Sequence, residues 1–149
     1  MPTSFLQLAV VIALLSGPAS AQMPPLTTEP ALRTSGAQQL RGADIKQRLL
    51  GNTQYQWLLK DQAPARKGLV YPIYLKDERT RRQKNATGQV YEALWWIDGD
   101  LKCFEQKVVN IGHQCYSLWQ SGPTLYECLQ SSGECFIAVS VKAGNPENY

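Results

Sequence analysis

Four cysteines in the last third of the chain are the residues best suited to do chemistry: Cys103, Cys115, Cys128 and Cys135. In an oxidising compartment an even set of cysteines favours disulfides over a metal site, and four cysteines allow three pairings. A short stretch with turn-forming residues separates the first two cysteines, and another separates the last two. We therefore predict two disulfides, Cys103–Cys115 and Cys128–Cys135.

His113, the only histidine of the chain, stands two residues before Cys115. A zinc site built from thiolates and this imidazole is the alternative, but the sequence has neither a Cys-x-x-Cys pair nor a His-x3-His spacing. It also lacks a Gly-x-Ser-x-Gly nucleophile elbow, a phosphate loop, a dinucleotide fingerprint and a calcium loop. We expect a protein without enzymatic activity, metal or cofactor.

Carboxylates of the kind that hydrolyse glycosidic bonds are present, at Glu92, Asp98, Asp100, Glu105 and Glu127. Most of them fall at turns or on the solvent side of predicted strands, where charged side chains serve solubility. A hydrolase that acts on cell-envelope sugars is therefore only a distant alternative.

A basic segment is the first feature that favours binding. Residues 76–84 carry five basic and two acidic side chains on a predicted connection between strands. Clustered arginines there suit an acidic polysaccharide, lipid headgroups or an acidic protein, although a solvated loop is an alternative explanation. The net charge of +3 is too small to indicate nucleic acid by itself, and we expect no nucleic-acid partner.

Aromatic residues in the predicted strands are the second feature. Trp95 and Trp96 are adjacent, so one points inward and the other outward, and Trp96 is the better candidate for a surface contact. The other rings could line a ligand cavity or simply build the core. We take as candidate contacts to an acidic envelope component or protein Arg79, Arg81, Arg82, Lys84 and Trp96.

The first 21 residues have the pattern of a signal peptide. An apolar run over residues 5–15 precedes Ala19 and Ala21, the small residues that signal peptidase requires, and we expect cleavage after Ala21. The run is shorter than the roughly 20 residues that span a bilayer, so we expect no stable membrane span. The segment before it has no lysine or arginine, which leaves a retained interfacial anchor as the alternative. The expected location is periplasmic or secreted.

The remaining chain predicts a flexible lead-in at 22–39 and a single domain at 40–146. A short helix is expected at Gly42–Leu50, because Ile45 and Leu49 form an apolar stripe and Gly51 can end it. Strands are expected from alternation and turn signals, about seven in all. They are 54–60, 68–76, 89–97, 101–109, 114–120, 124–130 and 134–142, with a tight hairpin at Asp98-Gly99.

Short connections between successive strands favour an antiparallel meander. The predicted fold is mainly β, a small meander that curls into a barrel with the helix over one end, because closure hides the sheet edges. An open curved sheet crossed by the helix is the second choice.

Short motifs are spread over Leu40–Pro146: Leu40-Arg41-Gly42-Ala43-Asp44-Ile45, Leu49-Leu50-Gly51-Asn52-Thr53, Trp96-Ile97-Asp98-Gly99-Asp100-Leu101-Lys102-Cys103, Cys115 and Gly144-Asn145-Pro146. Together they resemble a family of exported bacterial proteins of unknown function. The resemblance implies a small lipocalin-like β domain and carries no catalytic residue. The leading hypothesis is a non-enzymatic binding or interaction module of the bacterial envelope, ahead of a lipocalin-like carrier of a small apolar ligand.

Overall fold

The computed structural model describes residues 23–60, 68, 70–84, 87–106 and 112–148, so the predicted signal peptide lies outside the described residues. Two helices and eleven strands follow one another in this part of the chain. They are β1 (Thr27–Thr28), α1 (Glu29–Thr34), β2 (Gln38–Gln39), α2 (Gly42–Leu49), β3 (Asn52–Leu58), β4 (Val70–Leu75), β5 (Thr80–Lys84), β6 (Val90–Asp98), β7 (Leu101–Gln106), β8 (Gly112–Ser121), β9 (Thr124–Leu129), β10 (Glu134–Cys135) and β11 (Ile137–Ala143).

Eight of these strands close into an antiparallel barrel. Their order is β8-β7-β6-β5-β4-β3-β11-β9, and a β8–β9 pairing closes the circle. Closure gives each edge strand a partner for its backbone groups. The predicted antiparallel barrel, and the hairpin at Asp98-Gly99, are confirmed. The eighth strand is β5, which the sequence analysis assigned to a connection because its five residues are all polar.

The register shows which side chains face the interior, since residues directly opposite on neighbouring strands share a face. The apolar interior is built from Ile73, Leu75, Trp95, Phe104, Tyr116, Leu118, Leu125, Ile137 and Val139. Helix α2 closes one end of the barrel, where Ile45 and Leu49 are fully buried against this cluster. Each such side chain contributes about 1.5–3 kcal/mol by burial, which explains how an eight-residue helix is stable here.

The inward face of β3 is polar, which corrects one prediction. In the strand predicted at 54–60 the larger apolar side chains Tyr55, Trp57 and Leu59 share one face, which makes that face the expected buried side. Gln54 and Gln56 point inward instead, because both side chains hydrogen-bond a buried carboxylate of β9. The opposite face of β3 is also covered, because Trp57 and Leu59 pack in a second apolar cluster outside the barrel.

That second cluster, the outer cluster, holds the N-terminal segment against the barrel wall. It consists of Leu32, Leu59, Trp119, Tyr126, Cys128, Cys135 and Ala138, with Met23, Ala37 and Trp57 at its margin. Helix α1 buries Leu32 in this cluster, and β1 pairs with β10. Residues 27–39 of the predicted lead-in at 22–39 thus form β1, α1 and β2, because one buried leucine and two strands of two residues each are too little pattern to detect in the sequence.

The segment before and at the start of α2 contacts the turn between β6 and β7. The amide of Gly42, at the start of α2, donates to Asp100 Oδ1 at 2.9 Å, and Arg41 Nη1 donates to Asp100 Oδ2 at 2.7 Å. A Cβ at position 42 would collide with the carbonyl oxygen of Gly99, so the helix docks on this turn only through a glycine. The hydrogen bond from Arg41 lowers the pKa of Asp100. These residues hold α2 in place as the end cap of the barrel, the helix that closes one of its ends.

Candidate functional site

Both predicted disulfides are present, Cys103–Cys115 and Cys128–Cys135. The first joins directly opposite residues of β7 and β8 on the outside of the barrel. The second joins β9 to β10 inside the outer cluster, where both cysteines are fully buried. Ligand atoms of Cys103, His113 and Cys115 all lie within 4.8 Å of one another, but the two sulfurs are bonded to each other and offer no thiolate to a metal.

His113 and Trp96 flank the first disulfide. The His113 Nε2 atom lies 3.1 Å from Cys115 Sγ, and the ring centres of His113 and Trp96 are 4.8 Å apart. Trp96 is half-buried and stands directly opposite Cys103 in the sheet. A groove of about 320 Å³ begins beside these residues, at the rim of the barrel, and is lined by His113, Gln114, Cys115, Leu129, Gln130 and Ser131.

The outer sides of β5 and β6 form a mixed charged and apolar surface, which we call the β5–β6 face: Thr80, Arg82, Lys84, Val90, Glu92, Leu94 and Trp96. Val90 and Leu94 are 40% and 43% exposed, which is high for large apolar side chains. Arg82 Nε lies 2.8 Å from Glu92 Oε1 in a solvent-accessible ion pair. Lys84 stands opposite Val90 across the two strands.

The structure places the five predicted contact residues in three different surroundings. Arg82, Lys84 and Trp96 lie together on the β5–β6 face. Arg79 is exposed in the turn before β5, next to Asp77, whose carboxylate accepts its amide hydrogen at 2.9 Å. Arg81 is 3% exposed and points into the barrel, so its prediction as a surface contact is wrong. The prediction placed residues 76–84 in a connection, whereas alternation along β5 sends every second side chain inward.

Inside the barrel Arg81 lies on an aromatic ring. Its guanidinium carbon is 3.9 Å from the centre of the Phe104 ring, and its Nη2 donates to Gln83 Oε1 at 2.9 Å. Burial lowers the pKa of Arg81 to about 10. A cation–π contact of this desolvated kind stabilises by about 2 kcal/mol.

A second buried cation belongs to a hydrogen-bonded network across the interior, the Lys102 network. Lys102 Nζ contacts Glu127 Oε1 and donates to Gln54 Oε1 at 3.2 Å. Gln54 Nε2 and Gln56 Nε2 donate to the two oxygens of Glu127 at 2.6 and 2.8 Å. Burial lowers the pKa of Lys102, and the nearby Glu127 carboxylate opposes that shift. Neither the lysine nor the two glutamines is among the predicted site residues, although Lys102 alternates with the inward Phe104 in a strand-like pattern.

The aromatic residues proposed as a cavity lining separate into two groups. Trp95 and Tyr116 face the interior, where Tyr116 stacks on Phe104 with ring centres 5.7 Å apart. Trp57, Trp119 and Tyr126 face outward and are covered by the N-terminal segment. Both groups are packed against other side chains, so their burial is explained by the two clusters.

The carboxylates considered for hydrolysis do not converge on one cleft. Glu127 lies inside the barrel, whereas Glu92 pairs with Arg82 on the β5–β6 face and Asp100 holds the start of α2. Glu105 is opposite His113 on the outer wall. These four carboxylates therefore do not meet on opposite sides of one binding groove.

Within the described ranges, neither helix has the length and apolar character needed to cross a membrane. Comparison of the chain with family models, curated proteins and solved structures found no match.

Proposed function

We propose that this chain is an exported, non-enzymatic binding module, and that its partner is an acidic polypeptide of the cell envelope contacted through the β5–β6 face. One observation carries the proposal. Val90 and Leu94 expose two large apolar side chains on the solvent side of a single strand, next to Arg82 and Trp96. Exposed apolar surface that is rimmed by charged residues is typical of protein interaction sites.

The other side of the barrel provides the contrast. Outward apolar residues of β8, β9 and β11, such as Trp119 and Tyr126, are buried beneath α1 and the β1–β10 pair. The chain therefore covers the apolar outer surface on that side and leaves Val90 and Leu94 in water. A partner that covers the β5–β6 face would give these two side chains the same burial.

The residue types on this face suit such a partner. Trp and Arg are enriched among the residues that carry most of the binding energy at protein interfaces. Arg82 is half-buried and its partner Glu92 is 56% exposed along its side chain, so a carboxylate of an incoming polypeptide can replace Glu92. An acidic polypeptide can meet both Arg82 and Lys84 and still bring apolar side chains to Leu94.

Export is supported by two features of the chain. The first 21 residues have the signal-peptide pattern, and all four cysteines are in disulfides. Stable disulfides are compatible with an oxidising compartment such as the periplasm.

Site-specific photo-crosslinking tests the proposal. A photoreactive residue is placed at Leu94 in one sample and at Ser140, an exposed outward position of β11, in the control. The purified protein is irradiated with envelope extract at low and at high salt. We expect a defined adduct from position 94 and none of that mass from position 140. The adduct should be lost after protease treatment of the extract and should diminish at high salt, because exposed charge pairs are screened.

Matched variants complete the design. Arg82→Glu reverses the charge in the centre of the face and should abolish the adduct, whereas Lys142→Glu makes the same change on the exposed side of β11 and should leave it intact. Equal adducts from positions 94 and 140, or an adduct that resists protease, would show that the partner is not a polypeptide held by this face.

A further inference from the structure

We propose that Cys115 is a modification site for a low-molecular-weight thiol, which opens the Cys103–Cys115 disulfide by exchange and remains attached to Cys115. This site lies beside the β5–β6 face and does not depend on the proposed partner. It rests on three observations: the groove at the barrel rim, the contact of His113 with the sulfur, and the unequal exposure of the two cysteines.

The groove directs an incoming thiol to one of the two sulfurs. Cys115 lines the groove and is half-buried, whereas Cys103 is fully buried. Thiol–disulfide exchange requires the attacking sulfur to reach a disulfide sulfur directly, so access decides the position of attack. Attack therefore occurs at Cys115 Sγ, with Cys103 as the leaving group.

His113 supplies the proton transfers that the exchange needs. The attacking species is the thiolate, so the thiol first gives its proton to His113. The thiolate forms a new bond to Cys115 Sγ, the Cys103–Cys115 bond breaks, and its electron pair goes to Cys103 Sγ. The protonated imidazole then returns its proton to the Cys103 thiolate. His113 Nε2 is 3.1 Å from Cys115 Sγ, and its ligand atom lies within 4.8 Å of Cys103 Sγ.

The reaction is reversible because the barrel keeps its two cysteines together. Cys103 and Cys115 stand opposite each other in β7 and β8, with Cα atoms 4.0 Å apart. The strands are held by the closed sheet and do not separate when the disulfide opens. The freed Cys103 thiol therefore stays next to the mixed disulfide and can expel the small thiol again.

The lining of the groove indicates the kind of thiol. Gln114, Gln130 and Ser131 provide amide and hydroxyl groups, and Leu129 provides an apolar wall. The volume of about 320 Å³ lies near the lower end of the range for small-molecule sites, which is about 300–1,000 Å³. These properties fit a small thiol that carries amide or carboxylate groups, such as a cysteine-containing peptide.

The second disulfide is an internal control within the same chain. Cys128 and Cys135 are both fully buried in the outer cluster. His113, the only histidine of the chain, lies beside the Cys103–Cys115 disulfide instead. A thiol in solution cannot reach either of these sulfurs while the fold is intact. Selective reaction of the first disulfide is therefore a specific consequence of the proposal.

Glutathione is the probe for the experiment. The folded, oxidised protein is incubated with reduced glutathione at neutral pH, quenched in acid, alkylated and mapped by mass spectrometry. We expect glutathione on Cys115, an alkylated Cys103 and an intact Cys128–Cys135 disulfide. His113→Gln keeps a hydrogen-bond donor but removes the base, and should slow the reaction on the order of tenfold, since a thiol with a pKa of about 8.5 is only a few per cent ionised at pH 7.

A second variant tests the groove independently of the histidine. Ser131 is exposed in the turn after β9, so Ser131→Trp can fill the groove without entering the core. This variant should protect Cys115 from glutathione. Glutathione on Cys103, equal opening of both disulfides, or an unchanged rate in His113→Gln would each overturn the proposal. Far-UV circular dichroism confirms that the variants retain the barrel.

Discussion

Replacement of Glu127 by Gln should destabilise the protein more than its conservative appearance suggests. The carboxylate is fully buried and accepts hydrogen bonds from Gln54 and Gln56 while it contacts Lys102. Removing its charge leaves the ammonium of Lys102 without a counter-ion inside the barrel. Loss of one partner of a buried ion pair costs about 3–5 kcal/mol. For a domain of this size that loss lowers the melting temperature by roughly 12 °C or more.

The double variant Lys102→Met/Glu127→Gln should be more stable than either single variant. Methionine removes the buried charge, and Gln54 Oε1, which accepted from Lys102, becomes available to the new amide at position 127. The remaining loss comes from rearranged neutral hydrogen bonds and should be about 1–2 kcal/mol. A double-mutant cycle then gives a coupling energy of several kcal/mol between positions 102 and 127.

Urea unfolding of the oxidised protein, followed by tryptophan fluorescence and far-UV circular dichroism, measures these differences. Glu92→Gln is the matched control, because Glu92 makes the same kind of pair with Arg82 in solvent and should change stability by at most about 0.5 kcal/mol. Two results would contradict the explanation of the interior by a buried ion pair. One is a loss of less than about 1 kcal/mol in the free energy of unfolding of Glu127→Gln. The other is a double variant that is as unstable as the less stable of the two single variants.

Three further changes test the end cap and the N-terminal segment. Asp100→Asn should lower the urea midpoint at neutral pH. The pKa of Asp100 is lowered in the folded protein, so its carboxylate stabilises the fold at pH values above the ordinary pKa of 3.8. This stabilisation is lost in acid, where the variant and the wild type should have the same midpoint. Gly42→Ala should cost about 1–3 kcal/mol in the same assay, since the new methyl group collides with Gly99, although alanine normally favours a helix. Leu32→Ala should cost about 2–5 kcal/mol, and a loss below about 0.5 kcal/mol would show that α1 does not pack in the outer cluster.

Much of the fold follows from patterns that the sequence displays openly. Helix α2 was predicted because Ile45 and Leu49 are one turn apart and Gly51 follows. The β6–β7 hairpin follows from Asp98-Gly99, and its glycine has the positive φ of 58° that such a turn requires. Turn-forming residues between neighbouring cysteines led to both disulfides. In each case the pattern lies in the same stretch of chain as the feature that it predicts, and the two disulfides join cysteines only 12 and 7 residues apart.

The errors about the barrel interior share one cause, the assumption that inward residues are apolar. Thr80–Lys84 has no apolar residue, so nothing in its pattern indicated a strand with Arg81 inside the barrel. Gln54 and Gln56 appeared to be the solvent side of β3, since their partner Glu127 is more than 70 residues away in the chain. The inward charge of Lys102 meets Glu127 only when the closed barrel brings their strands together. The useful signal was a polar residue alternating with core residues, as Lys102 does with Phe104.

The same arrangement bears on where a partner can bind. Polar side chains of β3, β7 and β9 hydrogen-bond and form an ion pair with one another inside the barrel. These contacts hold the strands in register. The outer wall carries apolar residues on two sides, and the chain uses α1 and β10 to cover one of them. Val90 and Leu94 remain on the uncovered side, and Trp96, on the same face of β6, contacts His113 beside the groove at Cys115. Both proposed sites therefore lie on this side and share a margin at Trp96. A polypeptide bound to the β5–β6 face would approach the groove. Glutathione attached at Cys115 should then weaken the photo-crosslinked adduct that forms from position 94.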